Sequence, residues 1–331
     1  MRAEKTIEER YQELKQLVPA EIREKFEQME AGLRLPDMTA DLPFKRIYDA
    51  EVHPERISYL LQLIFGEEFT VSGSVREEML GTSIYSKKSI LDVLARLSNQ
   101  GIADVEMQVV AQEFIVQRSE LYAADMIVMQ YSARKNQLKS EITYLDVPVS
   151  YIVILMKESP KIFANNPHFI HHKVEQTDTG VNLPTLSKIA YVELDKCLEQ
   201  MKTGKCSEEN RELCQLLAFM ADVNSDYAND IARNNSEYSV IQDELKNLIK
   251  SREELIVMLA DKYEEIIRNS EIAQARREGE EFGEARGEAK GEARLAKLVN
   301  ILLENEDFAQ VSQVTTDKEL REKLYIKYEI M

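Results

Sequence analysis

Hydrophobic and polar positions along this chain fall into two regimes. From about residue 44 to residue 200 helical and strand-like patterns alternate, and beyond residue 205 the pattern is helical almost throughout. Residues 6–33 read as two short amphipathic helices separated at Pro19, with Ala20-Glu21 opening the second, before a proline-containing linker over 33–41. Helical spacing resumes near Phe44, breaks at His53-Pro54, and runs through Ile57, Leu60, Leu61 and Ile64 to Gly66. A strand is expected near 69–75, and a helix from about 111 to 137, where neither Pro nor Gly intervenes. The run 148–156 is almost continuously apolar, as a strand covered on both faces requires. Further strand-like runs fall at 169–174 and 188–194. This order predicts an α/β architecture, helices packed on a mixed sheet, followed by an all-helical C-terminal region.

Between residues 90 and 109 the pattern has period two, interrupted by Ser98-Asn99-Gln100-Gly101. With a turn near Asn99–Gln100, paired positions sum to about 198–199, which places Asp92 opposite Glu106. Asp92, Asp104, Glu106 and Gln108 then share one face, and Leu91, Val93, Ala95, Val105, Met107 and Val109 form the core face. Like charges placed opposite each other destabilise a sheet. A divalent cation would remove the repulsion, so the hairpin is a candidate metal site. Asp104 lies nearest the turn and is expected to be solvated.

Composition narrows the partners. The net charge is −17, shared between the two parts: residues 1–200 carry 23 basic and 31 acidic side chains, residues 201–331 carry 19 and 28. Long-range repulsion therefore excludes an indiscriminate polyanion binder, while an enzyme that holds phosphate through a bridging metal stays open. Trp is absent and aromatic residues make up 7%, so stacking platforms for single strands are few. The three cysteines (Cys197, Cys206, Cys214) are too few for a disulfide framework and suggest a reducing cytoplasm. The N-terminal segment lacks the apolar core of a signal peptide, and no apolar run approaches the ~18–20 residues of a membrane span, so no membrane partner is expected.

In the helical region, Gly279, Gly283, Gly287 and Gly291 recur every fourth residue within Gly-Glu-Ala-Arg-type tetrads. Glu284, Glu288 and Glu292 are like-charge neighbours one turn apart, as are Arg286, Lys290 and Arg294, and each interior Gly weakens the helix by about 1 kcal/mol. Either the Gly and Ala stripes admit a close second helix, giving a homo-oligomer, or the segment is a solvated low-complexity linker. Thr316-Asp317-Lys318-Glu319 reads as a capping box.

An Asp, thirteen residues, then Glu-x-Gln on adjacent strands, followed by a long helix, resembles the PD-(D/E)XK nuclease core. More narrowly the chain resembles the recombination-promoting nuclease/transposase family of that superfamily. The resemblance rests on Asp41-Leu-Pro-Phe44-Lys45, Leu91-Asp92-Val93, Val105-Glu106-Met107-Gln108, Arg118-Ser-Glu-Leu-Tyr122 with Gln130, Ser150-Tyr151-Ile-Val-Ile154, and the C-terminal tetrads. It implies a restriction-endonuclease-like sheet and a DNA endonuclease using Mg²⁺, with Mn²⁺ as a substitute. Asp92 and Glu106, with the carbonyl of Met107, would hold the metal; Asp92, Glu106, Gln108 and an acidic residue of the first helix, Glu55 before Glu51, would form the catalytic set. Where the superfamily usually places Lys, this chain has Gln108, which brings no positive charge. Lys45 or Arg118 would have to supply it.

Alternatives sit beside several of these roles. Glu55 also fits a solvated first-turn carboxylate. Arg118 and Tyr122, one turn apart, suit a phosphate; Arg118 equally suits a buttress to Glu106 or Asp92. His171 and His172 are adjacent on a strand and point to opposite faces, so a zinc site with His168 is not expected. The domain expectation is a helical extension over 1–40, a nuclease-like domain over 41–200 and a helical region over 201–331 with tetrads at 275–294. A cytoplasmic, metal-dependent endonuclease linked to recombination or mobile elements is the leading expectation. A catalytically quiet scaffold acting through its helical tail is the alternative.

Overall fold

A computed structural model describes residues 5–75, 92–111, 113–138 and 143–330, apart from the side chains of Arg276 and Glu288. The chain divides into two compact units, Met1–Lys262 and Tyr263–Met331. The first contains α1 (Ile7–Leu17), α2 (Ala20–Glu30), α3 (Asp41–Ile47), α4 (Pro54–Phe65), β1 (Val71–Ser74), β2 (Val93–Leu97), β3 (Ile102–Gln108), α5 (Ile115–Leu138), β4 (Ser150–Met156), β5 (Ile170–His172), β6 (Ser187–Glu193), α6 (Leu194–Lys202), α7 (Arg211–Ala221), α8 (Asp226–Asn234) and α9 (Ser236–Leu248). Helix α10 (Arg252–Glu304) begins there, and α11 (Phe308–Val314) and α12 (Lys318–Lys327) belong to the second unit.

Local chemistry accounts for the element ends. Thr6 and Glu9 form a reciprocal capping box at α1. Pro54 opens α4, where its missing N–H costs nothing, and Gly66 closes it in the left-handed region at φ 68°. Gln100 takes φ 70° in the β2–β3 turn, which is closed by the Leu97 N–H donating to the Gly101 carbonyl at 2.9 Å.

The six strands run in the order β1-β2-β3-β4-β6-β5. β1–β2, β2–β3 and β5–β6 are antiparallel, whereas β3–β4 and β4–β6 are parallel. Helix α5 makes the crossover between β3 and β4 that a parallel pair requires. Val93 pairs with Val105 and Ala95 with Ala103, the register expected from the turn.

Alternation then assigns the two faces. Ala103, Val105, Met107, Val153, Leu155, Ala190 and Val192 join Phe44, Ile57, Leu60 and Leu61 in the larger core. Ile102, Ile152, Ile154, Ile189 and Tyr191 meet Tyr122, Met126 and Met129 of α5 on the other side. Every residue of β4 is buried, as its unbroken apolar run foretold.

Several expectations are corrected. Leu213, Leu217, Phe219, Tyr238, Ile241 and Leu245, beyond residue 200, share the larger core, and the first compact unit runs to Lys262. The almost continuous helical pattern beyond residue 205 is interrupted, among other places, between α9 and α10, with a break before Arg252. Asp317, not Thr316, caps α12, accepting the Leu320 N–H at 3.0 Å. Cys206 and Cys214 form a disulfide across the turn into α7, and Cys197 is buried and free, so the thiols are not all unpaired. Leu91 lies outside the described residues, and Val109 falls beyond β3, half-buried.

The second unit has its own small core of Leu298, Leu302, Val314, Leu324 and Tyr325. Around Gly279, Gly283, Gly287 and Gly291 a Cβ would meet no atom within 4 Å.

Candidate active site

At the open end of the β2–β3 hairpin, side chains take over from the backbone ladder. Asp92 precedes β2 in the same register and stands opposite Glu106. The Met107 N–H donates to Asp92 Oδ2 at 2.8 Å, and the Asp92 N–H donates to Glu106 Oε1 at 3.2 Å. Each carboxylate is thus held by the backbone of the opposite strand.

Helix α5 brings a positive charge to Gln108 and Glu106. Arg118 Nη2 reaches Glu106 Oε2 at 3.3 Å, and its Nη1 donates to Gln108 Oε1 at 3.2 Å. Gln108 Nε2 in turn donates to Glu106 Oε2 at 3.2 Å. Arg118 Nε donates to the Tyr122 hydroxyl, and the guanidinium lies 5.1 Å from that ring's centroid. The amide therefore bridges the carboxylate to the guanidinium. From α3, Lys45 Nζ stands 3.6 Å from Asp92 Oδ1 and 2.8 Å from Asp41 Oδ1, one turn earlier on its own helix.

Burial makes the carboxyl groups of this constellation weaker acids than they are in water. The Glu106 side chain is 1% exposed, against 27% for both Arg118 and Lys45. Burial, reinforced by the Asp92 charge and only partly opposed by Arg118, pushes the Glu106 carboxyl up to about 8. Burial also raises Asp92, although the Met107 N–H and Lys45 oppose it. Asp104 is fully buried under α5, with no hydrogen-bond partner for either carboxyl oxygen among the described residues. Burial and then the charges of Glu106 and Asp92 raise it well above the ordinary carboxylate range. The expectation of a solvated Asp104 is overturned, because α5 covers the face to which alternation assigns it.

The remaining candidates lie elsewhere or serve the fold. Glu55 is exposed at the start of α4, 3.5 Å from His53, and is not among the charges acting on Asp92 or Glu106. Glu51 accepts the Ser74 N–H at 2.8 Å and braces β1. Gln130 donates to Ser150 Oγ at 2.6 Å, a structural contact between α5 and β4. His171 stacks on Phe163 and meets Glu193 Oε1 at 2.8 Å, whereas His172 faces Phe65, so the two imidazoles diverge as alternation requires. Sequence reasoning missed Asp41 as a member of the cluster; its signal was the one-turn spacing from Lys45. A cavity of about 620 Å³ lined by Asn166, His168, Lys196 and Gln200 contains none of the candidate residues.

The donor set suits a hard divalent cation. Asp41, Asp92, Asp104 and Glu106 bring four carboxyl groups to a cluster where Lys45 and Arg118 are the cations acting on them. Among the described residues no three His, Cys, Asp or Glu side chains converge on one metal position. Mg²⁺ needs no such cage, since one or two carboxylates, waters and substrate oxygens satisfy it.

No helix of the described residues is long and apolar enough to cross a membrane. No curated protein and no solved structure matches the chain. The sequence profile described as PD-(D/E)XK nuclease family transposase matches residues 38–275, which span the sheet, the acidic hairpin and both cation-bearing helices. The chain belongs to the PD-(D/E)XK nuclease family transposases.

Proposed function

We propose that this protein is a metal-dependent DNA endonuclease that hydrolyses phosphodiester bonds in the course of recombination or element mobility in the cytoplasm. The observation that carries this reading is the Asp92–Glu106 pair, Glu106 buried and Asp92 half-buried, placed opposite each other with more carboxyl groups than cations around them. Asp92 and Glu106, with the Met107 carbonyl, would hold Mg²⁺ or Mn²⁺. Bound there, the ion would lower the pKa of a water and neutralise charge developing on the leaving oxygen.

The chain's own groups divide the remaining work. Gln108 orients Glu106 and ties it to Arg118. Arg118 and Lys45, each about a quarter exposed, face outward enough to meet phosphate oxygens while bracing the carboxylates. Tyr122 fixes Arg118 and adds a hydroxyl beside it. Glu55 stays with the solvated helix-start role unless α4 moves. Self-association through the C-terminal tetrads is part of the proposal, supported by the open space around all four glycines.

Nicking of supercoiled plasmid tests the activity. Wild type is expected to nick with Mg²⁺ or Mn²⁺ and not in chelator, with the loss complete in Asp92→Ala and Glu106→Ala. Folded wild type that leaves plasmid intact under both metals sinks the reading. A second reading, a quiet scaffold, is favoured by the way Arg118 and Gln108 already satisfy Glu106 Oε2. Calorimetry separates the two: the scaffold predicts no Mg²⁺ or Mn²⁺ heat, with Asp92→Asn unchanged.

A further inference from the structure

Helix α5 is apolar on two opposite sides. Its inner side carries Ile115, Tyr122, Met126 and Met129 into the core under the sheet. Its outer side exposes Gln117, Leu121, Ala124, Val128, Tyr131 and Lys135, with Phe114 just before the helix. These seven positions follow one another at intervals of three and four, the 3.5-residue period that keeps a seam facing a second helix. Phe114, Leu121 and Val128, each two turns from the next, are 61%, 57% and 54% exposed along this side.

Charge along this face selects the occupant. Its N-terminal end carries Glu113 and Glu120, and its C-terminal end carries Arg134 and Lys135. The partners of the two acids, Lys161 at 3.9 Å and Lys173 at 3.1 Å, leave them largely solvated and available. A parallel copy would set like charges together, whereas an antiparallel copy sets acid against base and opposes the two helix dipoles. A phosphate backbone finds no continuous cationic track on an apolar line that carries carboxylates at one end. We propose that α5 pairs with α5 of a second copy of this chain, antiparallel, about a two-fold axis at Ala124. That axis sets Gln117 against Tyr131, Phe114 level with Arg134, whose guanidinium donates to Gln100 Oε1, and Glu113 against Lys135. The small Ala124 side chain lies where the two helices come closest. This surface is separate from the glycine tetrads, and the pairing holds whether or not the acidic site cuts DNA.

Self-crosslinking of the full chain tests the geometry. A residue on a two-fold axis meets itself, so Ala124→Cys at about 100 μM, a concentration suited to an interface below ~1,200 Å², is expected to give a disulfide-linked dimer on a non-reducing gel. Gln117→Cys alone should stay single, and an equimolar mixture with Tyr131→Cys should link. Native cysteines do not interfere, since Cys197 is buried and Cys206 is joined to Cys214. Adding Val128→Glu to Ala124→Cys should lower the dimer yield at least tenfold with an unchanged circular-dichroism melt. Ala124→Cys that remains single overturns the proposal, as it would if the chain's own tail or a different protein covered this face. Equal linking by Gln117→Cys alone overturns it too, because that result requires parallel helices or an axis away from Ala124.

Discussion

Replacing Glu106 by Gln should stabilise the metal-free protein above pH 8, although the residue is buried and hydrogen-bonded. Burial first, and the Asp92 charge second, move this carboxyl from 4.5 to about 8. A carboxyl raised on folding keeps its proton in the native state over a range where the unfolded chain has lost it. Stability therefore falls as pH rises from about 4.5 to about 8, and stays low above that. At 1.36 kcal/mol per pH unit the loss from this group is roughly 5 kcal/mol, an upper bound because Asp92 and Asp104 share the titration. Glutamine mimics the protonated acid, with one acceptor and one donor end, so Glu106→Gln should match wild type within about 1 kcal/mol near pH 5. At pH 8.5 it should exceed wild type by several kcal/mol, a rise in Tm on the order of 10 °C for a unit of this size. The assay is thermal or urea denaturation followed by circular dichroism, in chelator, at the two pH values. Mg²⁺ should restore wild type at pH 8.5 and leave the variant unmoved, because a ligand of the folded state stabilises only where it binds. Wild type equally stable at both pH values, or a variant weaker at pH 8.5, would refute the electrostatic reasoning.

Further outcomes follow from other contacts. Arg118→Met removes the guanidinium that meets both Glu106 and Gln108, and plasmid nicking should fall at least a hundredfold. Arg118→Lys should recover little of it, since one ammonium cannot reproduce two branches; full recovery would show that charge alone matters. Gly101→Ala places a Cβ 2.9 Å from the Val149 carbonyl oxygen, a backbone atom, and should cost about 1–3 kcal/mol in urea denaturation. An unchanged midpoint would show that the turn yields. Gly287→Ala meets open space and should strengthen its helix by about 1 kcal/mol. If light scattering then shows a smaller assembly while helicity rises, the glycine stripe seats a partner; an unchanged mass counts against tetrad-mediated association.

Much of the fold was legible because short-range chemistry decides it. Pro19, Pro54 and Gly66 mark helix ends through their own backbone constraints. The turn around Asn99 and Gln100 sets the hairpin register, and with it the opposition of Asp92 to Glu106. The same arithmetic assigned Asp104, Glu106 and Gln108 to one face but not what lies above them. Whether that face meets water depends on α5, which arrives through a crossover, and so Asp104 was misjudged. The cysteines show the same limit. Cys206 and Cys214 are eight residues apart, and only the turn into α7 brings them together.

By itself the sequence determined most of the elements, the strand register of the hairpin and the opposition of Asp92 to Glu106, because each depends on residues near one another along the chain. Tertiary structure alone decided that Arg118 meets Gln108 and Glu106, that Asp41 and Lys45 join Asp92, and that the division of units falls after Lys262. Burial and electrostatics depend on what packs against a residue in space. Local pattern can name the face a side chain occupies, but only the packed helices say whether a carboxyl on it remains in water or must find its countercharge within the protein.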